Sequence, residues 1–455
     1  MQESAIVSAV LLVSFVFSAL PRAEALTTDV FPDLAGRWFR NREAVQYLKT
    51  KKVMEGYDDG TFKPDQPINR AEFLKIVFAA KGSEPVPGVA CFKDIDPTLW
   101  YAPYVCAAKR RGIVSGYSDD TFRPEQTINT AEAMKIMLSA YKGEMEAARR
   151  EDWFEPYADY LAKNDILKPH AYIAWAPLTR LKAADLLWRV LVFEEDHKNP
   201  NDSAGCGTVA RTVQTNVMMN GIRREFLLTI PRGASNRTPA PLIVAFHGRT
   251  NDNAMVRSYY GLDRQFDDAY IAYPAALKKP NGSFSWSDPN DKASSIRDLA
   301  FFDAIVETLA DKYCINMDQI YTVGHSLGAW MANTVACMRG DVVRASATVG
   351  GDSVFATCTG PTAGFIAHNP KDMLASFAAT EKARDKRIET NGCMKTSQKS
   401  EPEALSCVKY DGCTENPVLF CAHHIDTDEH GTYYPHTWPE NTAQYIKNFF
   451  DDLSN

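Results

Sequence analysis

The rhythm of apolar positions changes near the middle of this 455-residue chain. In the C-terminal half short unbroken apolar runs recur: Leu242-Ile243-Val244-Ala245-Phe246, Ile320-Tyr321-Thr322-Val323 and Ala363-Gly364-Phe365-Ile366-Ala367-His368. Runs this short, bounded by turn residues, read as strands buried on both faces, and their alternation with helix-like segments reads as an α/β sheet. Val213 to Val217 and Arg224 to Ile230, on either side of Asn220-Gly221, read as an antiparallel hairpin ahead of them. Ala329 to Cys337 and Thr442 to Leu453 read as helices. In the N-terminal half the pattern is helix, turn-rich loop, helix. The polar stretch Glu194 to Ser203 has no apolar periodicity and reads as a linker between the halves.

The N-terminal pattern repeats. Gly56-Tyr57-Asp58-Asp59-Gly60-Thr61-Phe62-Lys63-Pro64 recurs as Gly116-Tyr117-Ser118-Asp119-Asp120-Thr121-Phe122-Arg123-Pro124, an offset of 60 residues (116 minus 56). The same offset relates Ile68-Asn69-Arg70-Ala71-Glu72 to Ile128-Asn129-Thr130-Ala131-Glu132, with Asn69 and Asn129 placed to cap a helix. A worn third copy shares Trp153-Phe154-Glu155-Pro156-Tyr157 with Trp100-Tyr101-Ala102-Pro103-Tyr104 and ends in Leu178-Thr179-Arg180. These units resemble S-layer homology repeats, modules that assemble into a three-part helical domain and hold bacterial proteins to cell-wall polysaccharide. The resemblance implies an all-α three-repeat domain over 29–82, 88–142 and a degenerate 149–195. It places Arg70 and Arg180 at the motif's arginine position, where a guanidinium pairs with an acidic sugar substituent. The second copy has Thr130 there, so fewer than three working pockets are expected. A spacer or dimerisation module is the alternative.

The chemistry lies in the other half. Gly324-His325-Ser326-Leu327-Gly328 follows the run ending at Val323 and opens the helix that begins near Ala329, the strand, turn and helix of a nucleophile elbow. A serine hydroxyl is a weak nucleophile, so it requires a histidine base and an orienting carboxylate, in the order Ser, Asp, His. Asp372 lies in the loop after the Ala363 to His368 strand and is preferred over Asp352, Asp426 and Asp428. His436, in Tyr434-Pro435-His436-Thr437-Trp438-Pro439 before the last helix, is the expected base, with His423, His424 and His430 set aside. The strand Leu242 to Phe246 runs into His247-Gly248-Arg249-Thr250, so the backbone N–H groups of Arg249 and Leu327 are the expected oxyanion donors. His247 is expected to order its loop.

Residues 205–455 resemble the secreted feruloyl esterase and polyhydroxybutyrate depolymerase group of α/β-hydrolases. The resemblance rests on Gly205-Cys206-Gly207, Tyr259-Tyr260-Gly261-Leu262, Ala272-Tyr273-Pro274, Asp298 to Asp303 and His436-Thr437-Trp438-Pro439. It implies a mostly parallel sheet flanked by helices, with Ser326 as nucleophile, Asp372 as acid and His436 as base. The group's acid loop reads His-Gly-Thr-x-Asp, whereas this chain has His368-Asn369-Pro370-Lys371-Asp372. Pro435 replaces a glycine before the histidine. Tyr259, Tyr260, Phe284, Trp286 and Trp438 offer flat aromatic faces for an acyl group or a sugar. The substrate is expected to be a feruloyl or related acyl ester of polysaccharide, with polyhydroxybutyrate depolymerase and acetylxylan esterase activities as alternatives. A wall-bound protein with an inactive hydrolase domain is a further alternative.

Composition changes the picture in three ways. A 45% hydrophobic content over this length supports more than one core. A formal charge of only −7, with no basic block, gives no reason to expect nucleic acid or an anionic membrane surface as partner. The apolar run Ala5 to Leu20, followed by Ala23-Glu24-Ala25, reads as a signal peptide over 1–25 that leaves no membrane span after cleavage, with a retained membrane anchor as the alternative, so an exported, cell-wall location is expected. Ten cysteines, none at zinc-ligand spacing, then read as disulfides, and neither metal nor organic cofactor is called for. Cys91 and Cys106 stand alone in the repeat region. Cys407 and Cys421 face one another across a hairpin, and Cys393 pairs naturally with Cys413. Cys206, Cys314, Cys337 and Cys358 keep three connectivities open. The linker is then 196–204 and the hydrolase domain 205–455.

Overall fold

The computed structural model describes residues 31–85, 91–145, 153–287 and 297–454, excepting 197, 209–212, 214, 220, 352, 354–356, 414 and 429. The expected signal peptide, Asp352 and Asn220 therefore lie outside the described residues.

The described residues of the N-terminal half form six α-helices: α1 (Phe39–Thr50), α2 (Arg70–Ala80), α3 (Ala102–Arg110), α4 (Thr130–Lys142), α5 (Glu155–Lys163) and α6 (Arg180–Glu194). Local chemistry sets their starts. Asn69 and Asn129 each accept the N–H of the glutamate three residues on, while Glu72 and Glu132 accept the asparagine N–H in return, so α2 and α4 begin with capping boxes. Thr179 caps α6 alone. The duplicated loop is also pinned twice. Asp33 accepts the N–H groups of Phe62 and Lys63, and Asp94 those of Phe122 and Arg123. These clamps hold Lys63 and Arg123 at φ 55° and 58°, where each cation stands over the tyrosine that opens its loop. At the centre Ile68 N–H donates to Leu178 O, Leu178 N–H to Ile128 O and Ile128 N–H to Ile68 O. This closed ring ties together three stretches far apart in sequence, and its three side chains are buried.

The C-terminal half is built on a ten-stranded mixed sheet. Its strands in chain order are β1 (Asn216–Met219), β2 (Ile222–Thr229), β3 (Ala240–Phe246), β4 (Tyr270–Pro274), β7 (Ile315–His325), β8 (Ala345–Val349), β9 (Ala363–His368), β10 (Ser397–Lys399), β11 (Cys407–Tyr410) and β12 (Val418–Ala422), with β5 (Leu277–Lys278) and β6 (Phe284–Ser285) as a separate hairpin. The order across the sheet is β1-β2-β4-β3-β7-β8-β9-β12-β11-β10. From β4 to β12 the neighbours run parallel, and both ends are antiparallel. The helices are α7 (Asn253–Tyr260), α8 (Leu262–Gln265), α9 (Arg297–Lys312), α10 (Leu327–Met338), α11 (Phe377–Thr390) and α12 (Thr442–Asp452). The first strand starts at Asn216 rather than Val213, with Met219 paired to Ile222 and the register running from there to Asn216 opposite Glu225. Disulfides join Cys91 to Cys106, Cys206 to Cys314, Cys337 to Cys358, Cys393 to Cys413 and Cys407 to Cys421. Cys407 and Cys421 are direct cross-strand partners.

The stretch read as a linker is docked. Asn201 accepts from Arg189 Nη1 at 2.7 Å, and Ser203 Oγ lies 2.7 Å from Tyr313 O and 2.8 Å from Ile315 N. Asn201 and Ser203 are thus buried against partners in both halves, while Glu195, Asp196, Lys198 and Asn199 stay exposed. Trp38, just before α1, is buried against the other half and stacks on Phe302 of α9 at 6.2 Å. Arg40 lies over Trp188 and donates to Pro200 O, while Arg339 reaches Gly36 O at 3.1 Å.

Candidate active site

Ser326 stands between β7 and α10 at φ 59°, ψ −126°, a conformation that a non-glycine residue adopts only when its surroundings enforce it. They do. A β-carbon on Gly324 would meet Gly328 O at 2.1 Å, and one on Gly328 would meet Phe246 O at 2.0 Å, so both flanking positions require glycine. Tyr260 Oη donates to Phe246 O at 2.8 Å and accepts His325 N–H at 2.7 Å, which ties the end of β3 to the elbow. Ser326 remains half-buried, and its own N–H donates to Val349 O.

The His247-Gly248 loop lies directly beside it. A β-carbon on Gly248 would come within 3.5 Å of Ser326 Cβ. His247 is fully buried, with Nδ1 2.7 Å from Gly248 O and Nε2 accepting Ala276 N–H at 2.9 Å. Burial pushes its pKa down, and the neutral Nδ1–H tautomer satisfies both bonds. Trp286 Nε1 donates to His247 O at 2.8 Å, and Arg249 O accepts Phe284 N–H at 2.9 Å. Backbone on this side of Ser326 is thus fixed from three directions. Leu327 is the first residue of α10, so its N–H has no partner within the helix.

Asp372 follows β9 and lies in contact with His436, whose Nδ1 stands 2.5 Å from Asp372 Oδ2. The same oxygen lies 3.0 Å from His368 Nε2, and Oδ1 accepts the N–H groups of Leu374 and Ala375. Burial pushes this carboxyl's pKa up, but the bonds from His368, His436 and Ala375 outweigh it and hold the group well below the usual carboxylate range. Asn369 braces the altered acid loop by donating to Ile425 O and Asp426 Oδ1, both at 2.9 Å, and Lys371 pairs with Asp426. The His325 ring lies 4.9 Å from that of His436, tilted by 33°, and burial followed by the charge of His436 drives its pKa down to about 3.

Not every expected wall residue offers a face. Trp286 and Tyr260 are buried behind the site, Trp286 in its bond to His247 O and Tyr260 stacked on Trp438 at 4.3 Å. Tyr259 and Trp438 are half-buried and border a groove of about 760 Å³ whose lining does not include Ser326. Phe284 packs edge-on against His247. His368 and His325 were absent from the expected site. The spacing of four between His368 and Asp372 and the position of His325 beside the serine were the only signals for them.

In the N-terminal half Arg70 is buried: its Nε donates to Phe122 O at 2.9 Å and its Nη1 lies 3.0 Å from Glu132. Arg180 is half-buried, donates to Phe62 O at 2.8 Å and Glu55 O at 3.0 Å, and has no carboxylate partner among the described residues. Thr130 is buried.

Comparison with known proteins divides the chain in the same way. The S-layer homology domain model matches residues 30–74 and 92–134. Feruloyl esterase D of Neurospora crassa is 27% identical over 277 residues, covering 54% of this chain and 90% of that protein. The probable feruloyl esterase C of Aspergillus niger is 28% identical, over 49% of this chain and 82% of that protein. The surface-layer 125 kDa protein of Lysinibacillus sphaericus is 30% identical over 157 residues, 33% of this chain and 13% of that protein. Among solved structures, an acetyl xylan esterase from Aspergillus awamori aligns with TM-score 0.39 at 11% identity, over 50% of this chain and 94% of that one. The chain joins an S-layer homology region to a carboxylic ester hydrolase related to feruloyl esterases. Its S-layer homology region indicates a cell-surface location. Among the described residues no helix is long and apolar enough to cross a membrane.

Proposed function

We propose that this protein is a wall-anchored serine esterase acting on feruloyl or related acyl esters of polysaccharide. Ser326 Oγ attacks the ester carbonyl while His436 takes its proton, and Asp372 holds the imidazole in the required tautomer. The N–H groups of Leu327 and Arg249 stabilise the oxyanion as it forms. His436 returns the proton to the departing alcohol, and water then releases the acid from the acyl-enzyme. The observation that carries the reading is the 2.5 Å contact between Asp372 and His436, on loops that converge beside the strained Ser326 turn.

The N-terminal half supplies the anchor. A three-repeat, all-helical arrangement is supported by the ring of hydrogen bonds through Ile68, Ile128 and Leu178. Of the two motif arginines, Arg180 is the better donor for an acidic sugar, because the charge of Arg70 is already matched by Glu132.

Turnover of methyl ferulate, p-nitrophenyl acetate and emulsified polyhydroxybutyrate by the full chain tests the proposal. Feruloyl ester is expected to be preferred, and Ser326→Ala to abolish all turnover by about a thousandfold or more. Activity on the polyester alone would move the substrate class, and full activity in Ser326→Ala would end the reading.

A further inference from the structure

We infer that His368 is a positioning residue, a second hydrogen-bond donor to the triad acid that keeps His436 from becoming too basic. The inference rests on the serine-esterase reading for its meaning, but the geometry stands apart from it. Asp372 Oδ2 is shared by two imidazoles, His436 Nδ1 at 2.5 Å and His368 Nε2 at 3.0 Å. His368 closes strand β9 and is fully buried. Its other nitrogen, Nδ1, lies 2.7 Å from Thr380 Oγ1 on helix α11, which is also fully buried. Asp372 in the loop after β9 and Thr380 on α11 therefore fix both edges of the ring, with Phe377 edge-on against it at 5.6 Å.

The tautomer follows from these partners. A carboxylate accepts only, so His368 Nε2 must carry its proton toward Asp372, and the Thr380 hydroxyl then donates to Nδ1. In this buried chain Thr380 donates to His368, and His368 and His436 both donate to Asp372. Its effect is electrostatic. A carboxylate facing His436 alone would hold the imidazolium strongly, leaving the base protonated at higher pH. A second donor on the same oxygen draws off part of that negative charge. That weakens the hold of Asp372 on the imidazolium that forms when His436 takes the serine proton. Without His368, Asp372 would also keep its charge in a buried site with one compensating bond fewer.

Other charged and titratable groups face this cluster. His325 packs tilted against His436 from the elbow, while His423 and His424 follow β12. Asp426 and Lys371 form an ion pair beside the acid loop, and Tyr434 lies two residues before His436. All of them remain in every variant proposed here, so a difference between variants reports the His368 bond.

The experiment uses the full chain, labelled at histidine. The pKa of His436 is read from its ring C–H resonance, and kcat/KM for p-nitrophenyl acetate is measured from pH 5 to 9. In His368→Leu the His436 pKa and the acid limb of kcat/KM are expected to rise together by about one unit, and kcat to fall about ten- to a hundredfold with little change in KM. His368→Gln keeps an N–H donor and is expected to restore most of kcat and the wild-type limb. Thr380→Val leaves the histidine intact but frees its tautomer, and is expected to shift the limb the same way by less. If His368→Leu does not fold, the Gln and Val variants carry the test. An unshifted His436 pKa in both Leu and Val variants, or equal losses in Leu and Gln, would overturn the inference and leave His368 as packing. A wild-type chain that turns over no ester, yet shows the His436 shift, would instead sink the esterase reading and leave the relay standing.

Discussion

The two halves handle buried charge in opposite ways. In the N-terminal half the Arg70–Glu132 pair is built from one short motif used twice, Arg70 heading α2 and Glu132 sitting in the first turn of α4. In the C-terminal half the buried carboxylate of Asp372 is met by histidines 4 and 64 residues away, beside a serine on another loop. The first arrangement is a local motif repeated until it closes on itself. The second exists only because the loops after β3, β7, β9 and β12 converge at the C-terminal end of the parallel strands. Damage should therefore act differently: a motif residue loosens its own joint, whereas a site residue changes chemistry and leaves the fold in place.

Trp38 breaks this division most severely. It belongs to the repeat half by sequence, yet it is buried with Phe302 in the other half's core. Trp38→Ala is expected to cost about 3–5 kcal/mol, and to lower the melting temperature of the hydrolase rather than that of the repeats. Calorimetry on the full chain reads this directly, and a melting temperature within a degree of wild type would mean that the contact is incidental.

Arg70 comes next. Removing it leaves Glu132 buried without its cation, so Arg70→Ala is expected to destabilise the repeats by about 3 kcal/mol. Chemical denaturation followed by tryptophan fluorescence measures it.

Acid separates the halves further. His325 and His423 have pKa values driven down to about 3 and about 4, in both cases chiefly by burial, while the unfolded chain takes up these protons near the ordinary value of about 6.5. The sign follows from the depression. Stability is fully present above pH 6.5 and is lost as pH falls toward the folded-state values, by up to about 1.4 kcal/mol per pH unit for each histidine. In the repeats the described histidine is His170, which packs at the interface beside Arg344 and is also shifted down by burial. The hydrolase and its contact with the repeats are expected to fail first on acidification, and a melting temperature flat from pH 7 to 4.5 would contradict this.

The smallest effect is expected at Arg180. Arg180→Ala should weaken sedimentation with wall polysaccharide by about tenfold, while the conservative Arg180→Lys retains part of it. Loss of wall binding in Arg70→Ala at temperatures where that variant is folded would reverse the assignment of the two arginines.

Features whose signal is local were legible in the sequence. The glycines around Ser326, the capping asparagines at 69 and 129 and the facing cysteines 407 and 421 could all be read from neighbours within a few residues. Strands β3, β7 and β9 were legible because each carries a short apolar run that is buried on both faces. Contacts made at a distance were hidden. Asn201 and Ser203 read as solvent-facing linker residues because their partners, Arg189, Tyr313 and Ile315, lie on elements that only the fold brings near. Trp286 and Tyr260 read as open aromatic faces, but their polar atoms are hydrogen-bonded to backbone behind the site. His368 was visible as the end of a strand and not as the partner of Asp372, since a spacing of four has meaning across a loop only once the loop's path is known.

The central claim is that Ser326 is an activated nucleophile within a site assembled by convergence. Treating the full chain with a fluorophosphonate and mapping the adduct by mass spectrometry tests it most directly. The account predicts a single modified residue, Ser326, with labelling strongly slowed in Asp372→Asn and in His436→Ala although both variants stay folded. Labelling of another serine, or labelling of Ser326 at an unchanged rate in both variants, would contradict it.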